Sequence, residues 1–400
     1  ESTKKDYIKP IISIPEQAKN VIFSGSHIGI STPFYQTSRS DGISKMAFDI
    51  VDLEAVDENY WPRTKFKLSD VGATYPLLNW NGKSSLTSYR LVTKYQISSS
   101  MEIPLISAII PPQTKHIQTL ISITYKSDLD LLSSIASISS LVYQFFAKVS
   151  GAATFRSLMH SLKWTTKLST ESFNRVLVLN CMNDSYKYLW GGCKHLTDNT
   201  DSWTKNDPRL CNKKFKSLNE SWSFNSPLRS DFERRFALLE LDVLVAKSLN
   251  MKLNDFLNIY RIHFPVLQKD EADTFFDQKG KIVFTSAKAY VGKGLDRKFN
   301  KKNAFVIGVK NGVYIDRATG SGSEEQPHTE AGIQLGWEDI KNLKSGTVTK
   351  TYMDDTMPNG PHERTLEYHA PFDKCNREDD YNTVWAEFER RFNIDDGEVS

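Results

Sequence analysis

Between Lys126 and Leu131 the apolar pattern of the chain changes period, and this limits it to folds in which sheet and helix occupy separate stretches. Upstream, from Val21 to about Lys126, short β-like runs alternate with turn residues. Leu105–Ile110 precedes Pro111-Pro112, and Leu120–Tyr125 follows. Downstream, Leu131, Ile135, Ile138, Val142, Phe145 and Val149 fall three or four apart, with Ser133, Ser137, Ser140 and Gln144 on the opposite face. That spacing predicts one amphipathic helix with a polar serine face, ended by Gly151. The expected class is therefore mixed α/β of the α+β kind: a sheet-rich first part, a helical middle and a smaller β-containing C-terminal part.

Helical spacing continues through Phe173, Val176, Leu177 and Leu179 to Tyr186 and Trp190, where Gly191-Gly192 should stop it. Residues 195–225 are polar, with Asp207-Pro208 and Lys213-Lys214, and read as a linker or surface loop. Ser230-Asp231-Phe232-Glu233 has the form of a capping box, and Phe236, Leu239, Val243 and Ala246 carry the apolar face onward. A helix from about Asp255 to His263 must end before Pro265. Period two then returns at Lys281–Thr285, Ala304–Val309, Val313–Ile315 and Thr347–Tyr352, with Lys310-Asn311-Gly312 as a hairpin-like turn. A last helix is expected over about Arg377–Phe392. At 400 residues the chain should hold two or three domains. The boundaries expected are 1–170, 171–270 and 271–400.

Several chemistries lack their residues. No Gly-rich string ends in Lys-Ser/Thr to cradle phosphate, and Gly320-Ser321-Gly322 follows no strand of the kind a dinucleotide site needs. Cys193 and His195 lack the paired companions of a zinc site. Tyr352-Met353-Asp354-Asp355 matches the turn that holds magnesium in reverse transcriptases, but Met357-Pro358-Asn359-Gly360-Pro361 makes the acidic pair part of a turn held by Arg–carboxylate pairs. Asp277-Gln278-Lys279 and Asp339-Ile340-Lys341 are the pairs a metal-dependent nuclease would use, and both read more simply as solvated charge. Cys181, Cys193, Cys211 and Cys375 are too scattered for a disulfide framework, and no secretory leader opens the sequence, so the expected compartment is the cytoplasm. Leu131–Ala147 is uncharged but carries five serines, which argues against a membrane span. A start at Glu1 without Met reads as a segment of a longer polypeptide.

A set of strings occurs in an order that resembles the C-terminal part of type IIG-like restriction-modification and BREX- or DISARM-type phage-defence adenine-N6 DNA methyltransferases. Gly25-Ser26-His27, Pro33-Phe34-Tyr35 and Arg39, then Ile50–Leu53 and Tyr60-Trp61-Pro62-Arg63-Thr64, are similar to the opening of the target-recognition domain. Tyr89-Arg90-Leu91, Ile97–Glu102 and Leu105–Pro112 follow. Ser150-Gly151 and Phe155–Trp164 resemble its close. Val178–Cys181 with Tyr188–Trp190, Leu239–Leu244 and Ile259–Pro265 resemble the region after it. Tyr352–Pro358, His362–Thr365, Ala370–Asp373 and Arg377–Tyr381 resemble the terminal motif. The family's Asn-Glu-Arg-Thr is Met101-Glu102-Ile103-Pro104 here, which removes an Arg from a phosphate contact.

The resemblance implies a DNA target-recognition domain, and a parent protein that methylates adenine N6 with S-adenosylmethionine and in some members also cuts DNA. The sequence holds no Asn/Asp-Pro-Pro-Tyr/Phe string to grip a flipped adenine, Asn206-Asp207-Pro208-Arg209 failing the pattern, and no Gly-rich S-adenosylmethionine loop. The chain alone is thus expected to bind no cofactor, hold no metal, carry no catalytic residue and be inactive as a methyltransferase. Its expected partners are double-stranded DNA, the methyltransferase core of the same polypeptide and other defence-system proteins, with no membrane. Net charge is only +3, so any DNA-binding face must come from local clustering. The residues expected to contact DNA are Arg39, Arg63, Lys83, Tyr89, Arg90, Lys94, Lys115 and Arg156, cations interleaved with tyrosines. The alternatives are a protein-interaction scaffold that no longer reads DNA, and a Mg²⁺-dependent nuclease built on Asp277 or Asp339.

Overall fold

The computed structural model describes residues 8–42, 47–69, 79–80, 82–165, 167–285, 307–309 and 337–397. Lys45, the Lys310-Asn311-Gly312 turn, the Val313–Ile315 strand and Gly320-Ser321-Gly322 lie outside them. The fold is α+β. Short strands fill the first part, and an antiparallel sheet sets Arg90–Lys94 between Leu120–Thr124 and Ser107–Ile110. Helix α1 (Asp128–Ser139) packs on that sheet, so Ser107–Ile110 is buried along its whole length.

The single helix expected over residues 131–149 is two. α1 ends at Ser139, and α2 (Leu141–Val149) starts after a bend of 66°. The break is chemical. Ser140 is extended, its Oγ donates to Ser137 O at 2.7 Å, and the freed amide of Leu141 donates to Asp242 Oδ1 at 2.7 Å. A buried carboxylate thus caps α2 from another element, which periodicity does not reveal. The serine face is also inward rather than solvated. Ser133, Ser137, Ser140 and Gln144 are all buried, and Gln144 bonds both Leu105 N and Leu105 O.

After α3 (Phe155–Met159), the helix expected to run from 173 to 190 is split into α4 (Thr170–Asn180) and α5 (Lys187–Gly192). Residues 195–225 have little regular structure but are no linker. Trp203, Leu210, Phe215, Leu218 and Trp222 are buried, and Arg175 of α4 is enclosed between Asp201 and Glu240. α6 (Asp231–Ser248) begins at the expected cap, Ser230 Oγ accepting from Glu233 N at 3.3 Å, an interaction that contributes about 1 kcal/mol. It is buried nearly all round rather than along one stripe, because α1, α2, α4 and α10 (Arg377–Gly397) all pack on it. α7 (Leu253–His263) stops ahead of Pro265 as expected, and that proline then opens α8 (Pro265–Ala272), where its missing N–H is harmless.

One apolar core runs from Val21 to Phe388 and crosses residue 170 without interruption. A second, smaller core gathers Val283, Ile340, Val348, Leu366, Tyr368 and Phe372 under the hairpin of Thr347–Asp354 and His362–His369. The short helix Trp337–Ile340 closes it.

Candidate functional site

The eight residues expected to meet DNA fall into three environments. Arg63 and Arg90 are buried, with 3% and 2% of their surface exposed. The Arg63 guanidinium donates to Asp355 Oδ1 at 2.9 Å and to the carbonyls of Asp355 and Met357, while Arg90 donates to the Thr114 carbonyl. Both are internal struts, and neither presents a guanidinium to a groove. Tyr89 stacks on Tyr186 and donates its hydroxyl to Ser185 O at 2.7 Å. Arg39 is 41% exposed in its side chain and paired with Asp41. Lys83 and Arg156 are exposed, and Lys115 is half-buried with Nζ on Lys19 O at 2.9 Å.

The fold brings part of this set together. The hairpin carrying Lys83, with Gly82 at φ +74°, leads into residues 85–87, and Gln113 N donates to Leu86 O at 2.6 Å. That bond ties Lys83 to the segment bearing Lys115 and His116. Burial lowers both Lys115 and His116 from their ordinary values, and the nearby Arg90 charge lowers them further. Lys19, Lys83 and Lys115 therefore make one basic edge beside the central sheet, while His116, lowered and bonded through both ring nitrogens to Ile117 O and Ser122 Oγ, adds no charge to it. Arg39 and Arg156 lie apart from it, on the loop after Gln36–Ser38 and on α3.

The terminal motif has a different task. Arg364 on one strand of the hairpin reaches Asp354 on the other at 3.1 Å and Asp52 of the first part at 2.6 Å. Asp355 accepts from Ser40 N at 2.7 Å, Ser40 Oγ at 2.9 Å and Arg63. Tyr60 donates its hydroxyl to Thr356 O at 3.0 Å. The charged residues of Tyr352–Asp355 and Arg364 are thus a latch that fastens the C-terminal hairpin to the first part of the chain. Asp277 is likewise structural. It is fully buried, and its two oxygens accept from the amides of Lys279, Lys281 and His369, which leaves no oxygen facing solvent to bind metal. Among the described residues no three His, Cys, Asp or Glu converge as metal ligands.

Lys94, the eighth residue, lines a cavity of about 530 Å³ at the junction of three stretches, 28–53, 94–106 and 231–282, with Arg377 of α10. Ile28, Ile103, Ile106, Leu238, Leu267 and Phe276 give it an apolar wall. Its charged residues come from both halves of the chain. Arg235 pairs with Glu271 and Asp380, and Arg377 with Asp242 and Glu271. Glu102 and Asp270 lie on the same wall. Burial first, then the Asp270 charge, pushes the Glu102 carboxyl up to about 7, and burial raises Asp270 as well. Lys94 has no hydrogen-bond or ion-pair partner for its amine, and burial alone brings it down to about 8.

Sequence reasoning missed this cavity because its wall is assembled from positions more than two hundred residues apart. Met101, Glu102 and Ile103 reach it from one turn, with no local pattern that marks them as a wall. In comparisons with known proteins, no family model, no curated protein and no solved structure matches the chain.

Proposed function

We propose that this chain is a DNA target-recognition module of the adenine-N6 methyltransferase kind, with its C-terminal region as a brace. The ordered strings of the resemblance support this, and among structural features the basic edge of Lys19, Lys83 and Lys115 carries it. Cations on adjoining turns at a sheet end suit a phosphate backbone, which sets register while other side chains read bases. Arg39 and Arg156 would extend the contact from neighbouring loops. Arg63 and Arg90 act from behind, holding the latch and the Thr114 turn. The methyl transfer itself, with S-adenosylmethionine, would belong to a methyltransferase core in the same polypeptide, which also becomes a docking partner.

The experiment is fluorescence anisotropy of a labelled random duplex pool over a salt series, with sequencing of the retained DNA. Affinity should fall steeply with salt, with a log–log slope of about −0.9 per phosphate neutralised, and one short word should be enriched. No binding at low salt would refute the proposal. It would favour a scaffold, for which the exposed Phe146 and Val149 of α2 beside Ile262 of α7 and Val266 of α8 offer an apolar contact surface.

A further inference from the structure

The cavity at the junction holds one charge that the fold does not answer. Arg234 is satisfied by the carbonyls of Leu179, Leu228 and Ser31 and by Thr32 Oγ1. Arg235 and Arg377 each touch two carboxylates, and Asp231 accepts from Ile282 N at 3.3 Å. Glu102 and Asp270 are acids and lie on the same wall. Only the Lys94 amine, among the charged groups of this wall, meets neither an acceptor nor a counter-charge. Lys94 is half-buried, so its unpaired ammonium is partly desolvated, and an anion entering from solvent would pair with it. The volume falls in the range of about 300–1,000 Å³ usual for small-molecule sites, and an apolar wall faces a set of charged side chains that, Lys94 apart, are held by the fold.

We infer that this cavity is a binding site for a small amphipathic monoanion, an apolar carboxylate whose charged end pairs with Lys94 and whose hydrocarbon body lies along Ile28, Ile103, Ile106, Leu238 and Leu267. Glu102 and Asp270 place two acidic side chains on the same wall, and these would repel a second anionic group, so monoanions are selected over dianions. The site is independent of the basic edge, and its occupancy does not rest on DNA binding.

The test is calorimetry and thermal melting of the full chain with octanoate, 1-octanol, octylamine and octanedioate. Octanoate should bind at least tenfold more tightly than each of the other three. Lys94→Met should weaken octanoate at least tenfold, leave octanol unchanged, and melt no lower than the wild type, because the half-buried amine it removes makes no hydrogen bond or ion pair. Lys94→Arg should retain octanoate binding. Equal affinity for octanol and octanoate, tighter binding of octylamine, undiminished octanoate binding by Lys94→Met, or no binding of any probe would overturn the assignment. Should Lys94→Met fail to fold, Ile103→Trp fills the half-buried wall instead. It should abolish octanoate binding, and retention there would overturn the proposal as well.

Discussion

Asp242 joins three parts of the fold, so its removal is the sharpest test of how the helical part is held. Its Oδ1 accepts from the Leu141 amide at 2.7 Å, and its Oδ2 accepts from Tyr381 Oη at 2.7 Å and Arg377 Nη2 at 3.2 Å. The carboxylate is 3% exposed, so no water stands ready to replace it. Asp242→Ala leaves the first amide of α2 without an acceptor and takes one of two carboxylates from the buried Arg377. Breaking a buried pair of this kind destabilises by about 3–5 kcal/mol. Asp242→Asn keeps an oxygen for Leu141 and a polar atom near Tyr381, so a loss of about 1–2 kcal/mol is expected, the scale of a weakened buried hydrogen bond. Urea unfolding followed by circular dichroism reads both values, provided the slope with denaturant is unchanged. Proteolysis at α10 should rise in the Ala variant, because Arg377 and Tyr381 anchor that helix. An Ala variant within about 1 kcal/mol of the wild type, or one no more stable as Asn than as Ala, would refute the capping role.

Other outcomes follow from the same geometry. His27 is buried with Nδ1 accepting from Ser24 N at 2.8 Å, and burial lowers it to about 4. A depressed folded value means stability that is full above the free value near 6.5 and is lost as pH falls toward 4, a difference of about 3 kcal/mol; His27→Gln melts should lose that acid sensitivity. Glu102 acts in the opposite sense. Its raised value gives stability present below the free value and lost as pH rises through about 7, on the order of 1–2 kcal/mol after allowing for partial exposure, so Glu102→Gln should flatten the neutral side of the pH–stability curve. Gly280 sits at φ +85° with an added Cβ only 2.8 Å from Phe232 Cβ, so Gly280→Ala should cost about 1–3 kcal/mol in urea unfolding. If the chain binds duplex DNA, Lys83→Ala should weaken binding about equally for all sequences and reduce the salt slope by about one, while the exposed side chain leaves the melting temperature unchanged.

Much of the α+β class was legible in the sequence, because a change of apolar period reports which face of each element is covered. The Ser230 helix cap, the stop before Pro265 and the final helix all followed from local chemistry that needs only a few neighbouring residues, although Glu233 bonds Ser230 Oγ and Cys211 N rather than closing a capping box. Local patterning failed where distant side chains intervened. A serine face reads as solvated until Leu105, Asp242 and the rest of the core cover it, and one helix becomes two only because Asp242 arrives to cap the second. The polar stretch at 195–225 looked like a loop because its tryptophans are too widely spaced to show a period, yet they are buried.

The basic residues divide along the same line. Sequence supplies seven cations and one tyrosine of suitable type, but whether a guanidinium faces solvent depends on carbonyls and carboxylates brought from elsewhere. Arg63 meets Asp355 across almost three hundred positions, and Arg90 meets the Thr114 turn. Lys94 is the opposite case, a lysine that only the tertiary structure leaves unpaired in a cavity. The amino-acid order by itself determined the element types and their succession, since those depend on short-range backbone and side-chain preferences. Tertiary structure alone decided which charges are struts, which form a latch and which remain open to a ligand, since burial and pairing depend on groups far apart in the chain.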